Sequence, residues 1–337
     1  MTVERWRRTL SQMGVEANVV ETAHLNVKNL AALLERLKPD LIHAHHAIRA
    51  GAFMIDSLIA ERYEKMPFIV SAAGTDINDH AQGKTGGEIF QKVCRRADFI
   101  LSQSSEILLC LRNLLPDLSS RISYVPKSFL WHGNESFDLR AITSCRTGDI
   151  LFFMPAGIRP VKGNLECLRG MEKVHEACPN IRIVFAGPIL DVSYADAFRE
   201  EINRLKSFAQ WMTPIPPQKM YSAYQGADVI LNHSQSESFS NALLEALAAG
   251  RPILAADIPG NWWLKDGRNG KERCGCLFDI GDPDDFIMKA IKIATDLSLR
   301  TALSATGFRR AQTWPKPSEE AQALLNIYET AIASPNH

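Results

Sequence analysis

Short apolar runs separated by helix-length segments recur along almost the whole chain, and this alternation restricts the fold more than any other feature. Residues 17–21, 40–43, 67–72, 99–102, 122–125, 149–154, 181–186, 228–232 and 253–256 read as short strands, with a weaker run at 211–215. Residues 2–13, 27–37, 52–64, 88–96, 106–115, 165–177, 195–208 and 241–249 read as helices, as do 217–224, the stretch from 284 and the final segment 315–333. Strand–helix–strand repetition of this kind builds a parallel sheet covered by helices, an α/β fold.

The 337 residues suffice for two domains of ordinary size. Residues 127–148 are polar and irregular, with His132-Gly133-Asn134 among them, and read as the connection. The expected division is a Rossmann-like domain over 1–145, a second over 146–312, and a terminal helical segment over 313–337 that returns to the first domain. Lysine plus arginine and aspartate plus glutamate balance at 38 each, so a general attraction to nucleic acid is not indicated. The chain has no uninterrupted apolar run long enough to span a membrane, and its first ten residues lack the apolar core of a signal peptide. Cys94, Cys110, Cys145, Cys167, Cys178, Cys274 and Cys276 are odd in number and show no paired zinc spacing, as expected of scattered thiols in a cytoplasmic protein.

Chemistry concentrates in residues 236–261, S-E-S-F-S-N-A-L-L-E-A-L-A-A-G-R-P-I-L-A-A-D-I-P-G-N. Ser238 and Ser240 are good helix N-caps, residues 241–249 are rich in alanine and leucine, and Gly250 with Pro252 ends the helix. Glu245 is the one ionisable residue within 241–249, and a carboxylate on so apolar a helix is costly unless something satisfies it. Glu237 stands just ahead of the helix, whose N-terminus offers unpaired amides and a positive dipole end to a phosphate. Together these features describe a nucleotide-sugar site: an anion site, a carboxylate able to grip paired hydroxyls, and a second carboxylate at the rim. The bland alternative is a helix-capping acid and an internally satisfied core acid.

A second cluster follows the strand at 149–154. Gly157-Ile158-Arg159-Pro160-Val161-Lys162 sets a guanidinium and an ammonium on one strand-to-helix loop, where both can meet a diphosphate; a solvated loop pair is the alternative. In the first half, Gly74, Thr75 and Asp76 follow a strand directly and either contact sugar or acceptor hydroxyls or form an Asx-type turn. His43, His45 and His46 cluster at another strand end, where packing or acceptor contact fits better than metal binding. Asp282 and Asp284 match a D-x-D metal pattern formally but precede a helix, where acids are ordinary caps.

Glu237 and Glu245, with seven residues between them, resemble the E-x7-E signature of the family-4 retaining glycosyltransferases, which have the GT-B fold of two Rossmann-like domains with parallel sheets facing a cleft. Gly74 to Asn78, Gly157 to Lys162 and Ile258 to Asn261 extend the likeness to the subgroup of glycosyltransferase 1 domain-containing proteins, over most of the chain. The resemblance implies a metal-independent enzyme without a cofactor that moves a sugar from a nucleotide-sugar donor, a UDP-sugar, to an unidentified acceptor by a front-face mechanism. It implies that Glu245 holds the ribose hydroxyls and that Arg159 and Lys162 hold the diphosphate. Glu237 and the amides around Phe239 and Ser240 would then face sugar and phosphate, with Gly157, Ser238 and Asn241 completing the donor site. Gly74, Thr75, Asp76 and His45 would line the acceptor or sugar pocket.

The sequence departs from the family in three places. The Arg159-to-Lys162 spacing is short for the family though tolerated in the subgroup. Ala73 stands where relatives often carry histidine, so no role for histidine is carried over there. The chain opens on a helix where the family begins with a strand, which implies either a misplaced start, the favoured reading, or a first strand truly absent. A nucleotide-sugar-binding protein without transfer activity, and an isomerase or sugar–sulfur or sugar–selenium synthase on the same fold, are the competing readings. A dinucleotide oxidoreductase fits least, because no strand is followed by G-x-G-x-x-G.

Overall fold

The structure, a computed structural model, describes residues 2–72, 76–77, 86–265 and 273–333. The chain divides into two compact units, one made of Met1–Ser128 with Pro315–His337 and the other of Phe129–Trp314.

In the first unit, β1 (Ile42–His45), β2 (Phe68–Ser71), β3 (Phe99–Ser102) and β4 (Ile122–Tyr124) form a wholly parallel sheet in the order β1-β2-β3-β4. Parallel neighbours need crossovers, and the helices Gly86–Arg96 and Ser105–Leu114 supply two of them. Phe68, Val70, Ile100, Phe90 and Val93 pack into one buried cluster. Ile69 and Leu101, whose side chains alternate to the opposite side, pack with Trp6, Leu10, Ala321 and Leu324. The Thr2–Gln12 and Pro317–Ala333 helices thus share one face of the sheet. Glu320 is fully buried there, held by both arms of Arg5 at 3.0 and 3.1 Å and by Gln103 and Ser128.

Two expectations for this unit change. Residues 17–21 run outside both sheets, because only two of them carry sizeable apolar side chains and both, Val19 and Val20, lie at solvent. The helix expected over 52–64 is instead a 3-10 turn, Gly51–Ile55, followed by a short helix, Ser57–Arg62; Asp56 breaks the two by capping the Leu58 amide at 3.1 Å.

The second unit carries β5 (Ile150–Pro155), β6 (Ile181–Ala186), β7 (Ala209–Met212), β8 (Val229–Asn232), β9 (Ile253–Ala256) and β10 (Cys276–Phe278). All pair in parallel, in the order β10-β9-β8-β5-β6-β7. The chain therefore winds outward from β5 to β7, returns to lay β8 beside β5, and winds the other way to β10. The strand order reverses between β5 and β8, and open α/β sheets bind ligands at that reversal, beyond the carboxyl ends of the strands. The loops leaving β5 and β8 contain Gly157 to Lys162 and His233 to Ser240. Both faces of the sheet are buried, under separate clusters centred on Phe152, Phe185 and Leu231 and on Phe153, Val184 and Ile230.

Candidate active site

After β5 the chain makes a one-turn 3-10 helix, Pro160–Lys162, and Gly163 closes it at φ 61°, in the left-handed region that glycine enters freely. A Cβ at Gly163 would lie 2.5 Å from the His233 carbonyl oxygen and 2.6 Å from its Nδ1, so this glycine lets the β5 and β8 loops touch. The contact delivers Lys162 to Glu237: Nζ stands 2.5 Å from Oε1, with both side chains largely buried. Ser234 Oγ donates to the same Oε1 at 2.8 Å, and Asn232 Nδ2 at 3.2 Å. Burial alone would raise the Glu237 carboxyl. The Lys162 charge and the hydrogen bonds from Lys162, Ser234 and Asn232 outweigh it and hold the group below its ordinary range.

Arg159 sits at the entry to the same turn. Its backbone amide donates to Asn164 Oδ1 at 3.3 Å, while its Nε is buried and has no hydrogen-bond partner among the described residues. Gly157 lies directly after β5, and a Cβ on it would come 2.5 Å from Leu190 Cδ1. The loop after β8 passes through half-buried Ser238 and Phe239 to Ser240, the N-cap of the Asn241–Ala248 helix. The expectation of a serine cap is corrected here. Ser240 occupies the position, but its side chain makes no capping hydrogen bond, so the first-turn amides are left to another acceptor.

Glu245 is half-buried rather than enclosed in the core. The phenol of Tyr224 lies at it, and burial first, then the Glu245 charge and hydrogen bond, hold the Tyr224 proton on. The single proton of the buried Tyr224 hydroxyl is shared with the Ala242 carbonyl, 3.1 Å away.

The candidate pocket residues of the first unit meet different fates. Gly74 and Thr75 lie outside the described residues. Asp76 is fully buried, 2.6 Å from His46 Nδ1, and accepts the Ala47 and Ile48 amides at 3.0 and 3.3 Å. It holds the backbone just beyond β1 by a long-range contact, which is not the local Asx-type turn expected from the sequence. His45 is exposed at the end of β1, with the Trp6 ring 5.3 Å away. His43 is the packed member of the cluster, 2.7 Å from the Tyr328 hydroxyl and 2.8 Å from Ser71 Oγ, with Trp6 stacked on it. Asp282 caps the Pro283–Thr295 helix through the Asp284 and Asp285 amides, which is the ordinary reading of that acid.

Several residues of the site went unrecognised in the sequence. Asn232 and Ser234, which bind Glu237, end an apolar strand as V-I-L-N-H-S, and polar residues at the end of a buried central strand are the available signal. Phe239 stacks on Trp263 with ring centres 4.7 Å apart and meets Trp314 at 5.7 Å, while Arg310 lies over both indoles. Nothing in their spacing announces that stack.

Comparison with known proteins agrees with this geometry. Residues 148–296 match the family model described as glycosyl transferases group 1, and residues 7–104 match glycosyl transferase 4-like. Glycosyltransferase 1 domain-containing protein 1 of Xenopus tropicalis is 24% identical over 323 residues, covering 92% of this chain and 91% of that protein. D-inositol 3-phosphate glycosyltransferase of Corynebacterium glutamicum (strain R) is 25% identical over 185 residues, 53% of this chain and 43% of that one. Among solved structures, sucrose-phosphate synthase from Thermosynechococcus elongatus superposes with a TM-score of 0.75 at 16% identity, covering 91% of this chain and 77% of that one. Anabaena HepE in complex with UDP-glucose gives a TM-score of 0.75 at 14% identity, covering 96% and 88%. Two parallel α/β units superposing on these structures give the GT-B fold, and the family-model matches make the chain a glycosyltransferase. Within that class the two family-model matches and the full-length relative support the family-4 type.

Proposed function

We propose that this glycosyltransferase takes a UDP-sugar as donor and passes the sugar to its acceptor with retention at the anomeric carbon and without a metal. The observation that carries the reading is the Lys162–Glu237 pair at the β5/β8 reversal, with Arg159 on the same turn. A leaving diphosphate gains charge as the sugar–oxygen bond breaks, and fixed cations are most effective where charge develops. Arg159 and Lys162 supply that positive charge as side chains. The uncapped first turn at Ser240 adds amide donors and a dipole end for the phosphates. Glu245 takes the ribose hydroxyls, with Tyr224 orienting its carboxylate.

In the front-face step the acceptor oxygen bonds to the anomeric carbon as the bond to the phosphate oxygen breaks on the same face, and the acceptor proton passes to the departing diphosphate. Glu237 accepts from Lys162, Asn232 and Ser234 on Oε1, and in this reading Oε2 serves the sugar. Anabaena HepE, which has been seen with UDP and with UDP-glucose, supports the choice of donor by likeness of fold. Among the described residues no helix is long and apolar enough to cross a membrane, and we place the reaction in the cytoplasm.

Calorimetric titration with UDP, GDP and ADP, repeated on Arg159→Ala, tests the donor site. Saturable binding of UDP that the substitution abolishes is the expected result. Preference for another base would overturn the donor assignment, and unchanged binding by the variant would overturn the role of Arg159.

A further inference from the structure

The turn after β9 reaches back to the catalytic carboxylate by two separate routes. The 3-10 helix Pro259–Leu264 begins there. At its start Gly260 packs so closely on the neighbouring loop that a Cβ would fall 2.2 Å from the Glu237 carbonyl oxygen and 2.9 Å from its Cβ. The next residue, Asn261, is completely buried. Its amide nitrogen donates to Asn232 Oδ1 at 3.1 Å and to the Ala256 carbonyl at 3.0 Å, while its Oδ1 has no hydrogen-bond partner among the described residues.

The direction of these bonds matters. Turning the Asn261 amide over would set its oxygen against two acceptors, so both of its useful bonds require the donor end. A side-chain amide has one acceptor end and one donor end. Asn261, together with the Ser234 backbone amide at 3.4 Å, occupies the acceptor end of Asn232, so the Asn232 nitrogen faces the other way, toward Ser234 Oγ at 3.3 Å and Glu237 Oε1 at 3.2 Å. The relay thus runs from Asn261 through Asn232 to Glu237 and on to Lys162.

We propose that Asn261 is a positioning residue for sugar transfer, fixing the polarity of Asn232 and through it the orientation of the Glu237–Lys162 pair. The consequence for transfer rests on the reading of that pair given above; the relay itself does not. Asn261 touches neither donor nor acceptor in this arrangement. Its isosteric replacement by aspartate would present an acceptor to Asn232 and invite that amide to turn its own oxygen toward Glu237.

The test compares Asn261→Ala, Asn261→Asp, Asn232→Ala and the Asn232→Ala/Asn261→Ala double variant, each checked for folding by thermal melting. Two measurements are made: the titration of the Glu237 carboxyl by carbon NMR, and the turnover of UDP-glucose, with water as acceptor. Loss of the Asn232 hydrogen bond should move the Glu237 titration upward in every variant. Turnover at saturating donor should fall about 10-fold to 100-fold, with little change in half-saturation, as for a small misplacement of a reacting group. The double variant should be no worse than Asn232→Ala alone, because both lie on one path. A Glu237 titration that moves in Asn232→Ala but not in Asn261→Ala would overturn the relay, as would losses that multiply in the double variant. If the titration moves but Lys162→Ala turns over UDP-glucose as well as the parent, the relay stands and the catalytic reading of the pair falls.

Discussion

Lys162 and Glu237 are 75 positions apart in the chain and 2.5 Å apart in space. The β5/β8 pairing brings them together, because each sits on the loop that leaves one of those two adjacent strands. Their side chains are 17% and 12% exposed, so each depends on the other for the loss of water. Lys162→Ala leaves the carboxylate buried without its counter-ion, and urea unfolding should show a loss of about 3 kcal/mol, the range for breaking a buried pair. UDP-glucose turnover should fall by a further factor of about 10²–10³, as when a fixed transition-state donor is removed. Lys162→Met restores bulk without charge, so both stability and turnover should stay near those of Lys162→Ala; a full recovery of stability would mean that lost packing, not the stranded carboxylate, set the cost.

Gly260→Ala tests the packing of the same loop. The added methyl meets backbone, the Glu237 carbonyl oxygen at 2.2 Å, which cannot swing aside as a side chain can. A shift of the Glu237 loop should lower stability by about 1–3 kcal/mol, and UDP affinity should fall with it. Gly148→Ala is the control, since it has a positive φ of 89° but no atom within 4 Å of its Cβ position. It should cost backbone strain and leave UDP affinity unchanged. Equal affinities for the two variants would remove the loop from the donor site.

Much of this arrangement was legible in the sequence, for physical reasons. The strands of the second unit are apolar runs buried on both faces, so their existence and their parallel pairing follow from composition and alternation with helices. Arg159, Lys162, Glu237 and Glu245 stood out as charges in stretches that otherwise read as turns or core. The pairing of Lys162 with Glu237 did not stand out, because it depends on which strands become neighbours at the reversal. Asp76 reads as a loop acid in either setting, and only the three-dimensional path shows the Ala47 and Ile48 amides coming to it. Residues 17–21 failed as a strand because Val19 and Val20 promise a buried run that no sheet claims.

Stability should fall on the acid side of neutrality: His43, His45, lowered to about 4, and buried His233 are all held below the ordinary histidine value and share the upper limb, with Glu237 below them. His43 is packed against Trp6, Tyr328 and Ser71, and burial first, then the neighbouring His45, lower it from 6.5 to about 3. Its folded value lies below its unfolded one, so the unfolded chain binds the proton first. Its contribution is complete above about 6.5 and is lost as pH falls toward 3, at up to about 1.4 kcal/mol per pH unit. Glu237, also depressed, loses its contribution in the same direction, below the ordinary carboxylate value of 4.5. Urea unfolding from pH 7.5 down to pH 4 should therefore show a decline that begins near the histidine value. In His43→Gln the upper part of that decline should become shallower; an unchanged profile would mean that His43 is not what the acid limb reports.

Glu245→Ala separates a binding acid from a core acid. The side chain is half-buried, on a helix whose Leu243, Leu244, Ala246 and Leu247 carry the packing. Removing it takes away the negative neighbour that holds the Tyr224 proton on, so the phenol is relieved rather than stranded, and it keeps the Ala242 carbonyl as acceptor. The melting temperature should change little. UDP affinity should drop by about tenfold or more, the effect of losing a charged hydrogen-bonding partner worth about 1.5–3 kcal/mol. Tyr224→Phe provides the contrast: the Ala242 carbonyl loses a donor, so stability should fall more than in Glu245→Ala while the nucleotide still finds its carboxylate. If Glu245→Ala instead lowers the melting temperature and leaves UDP affinity intact, the carboxylate serves the helix and the ribose must be held elsewhere.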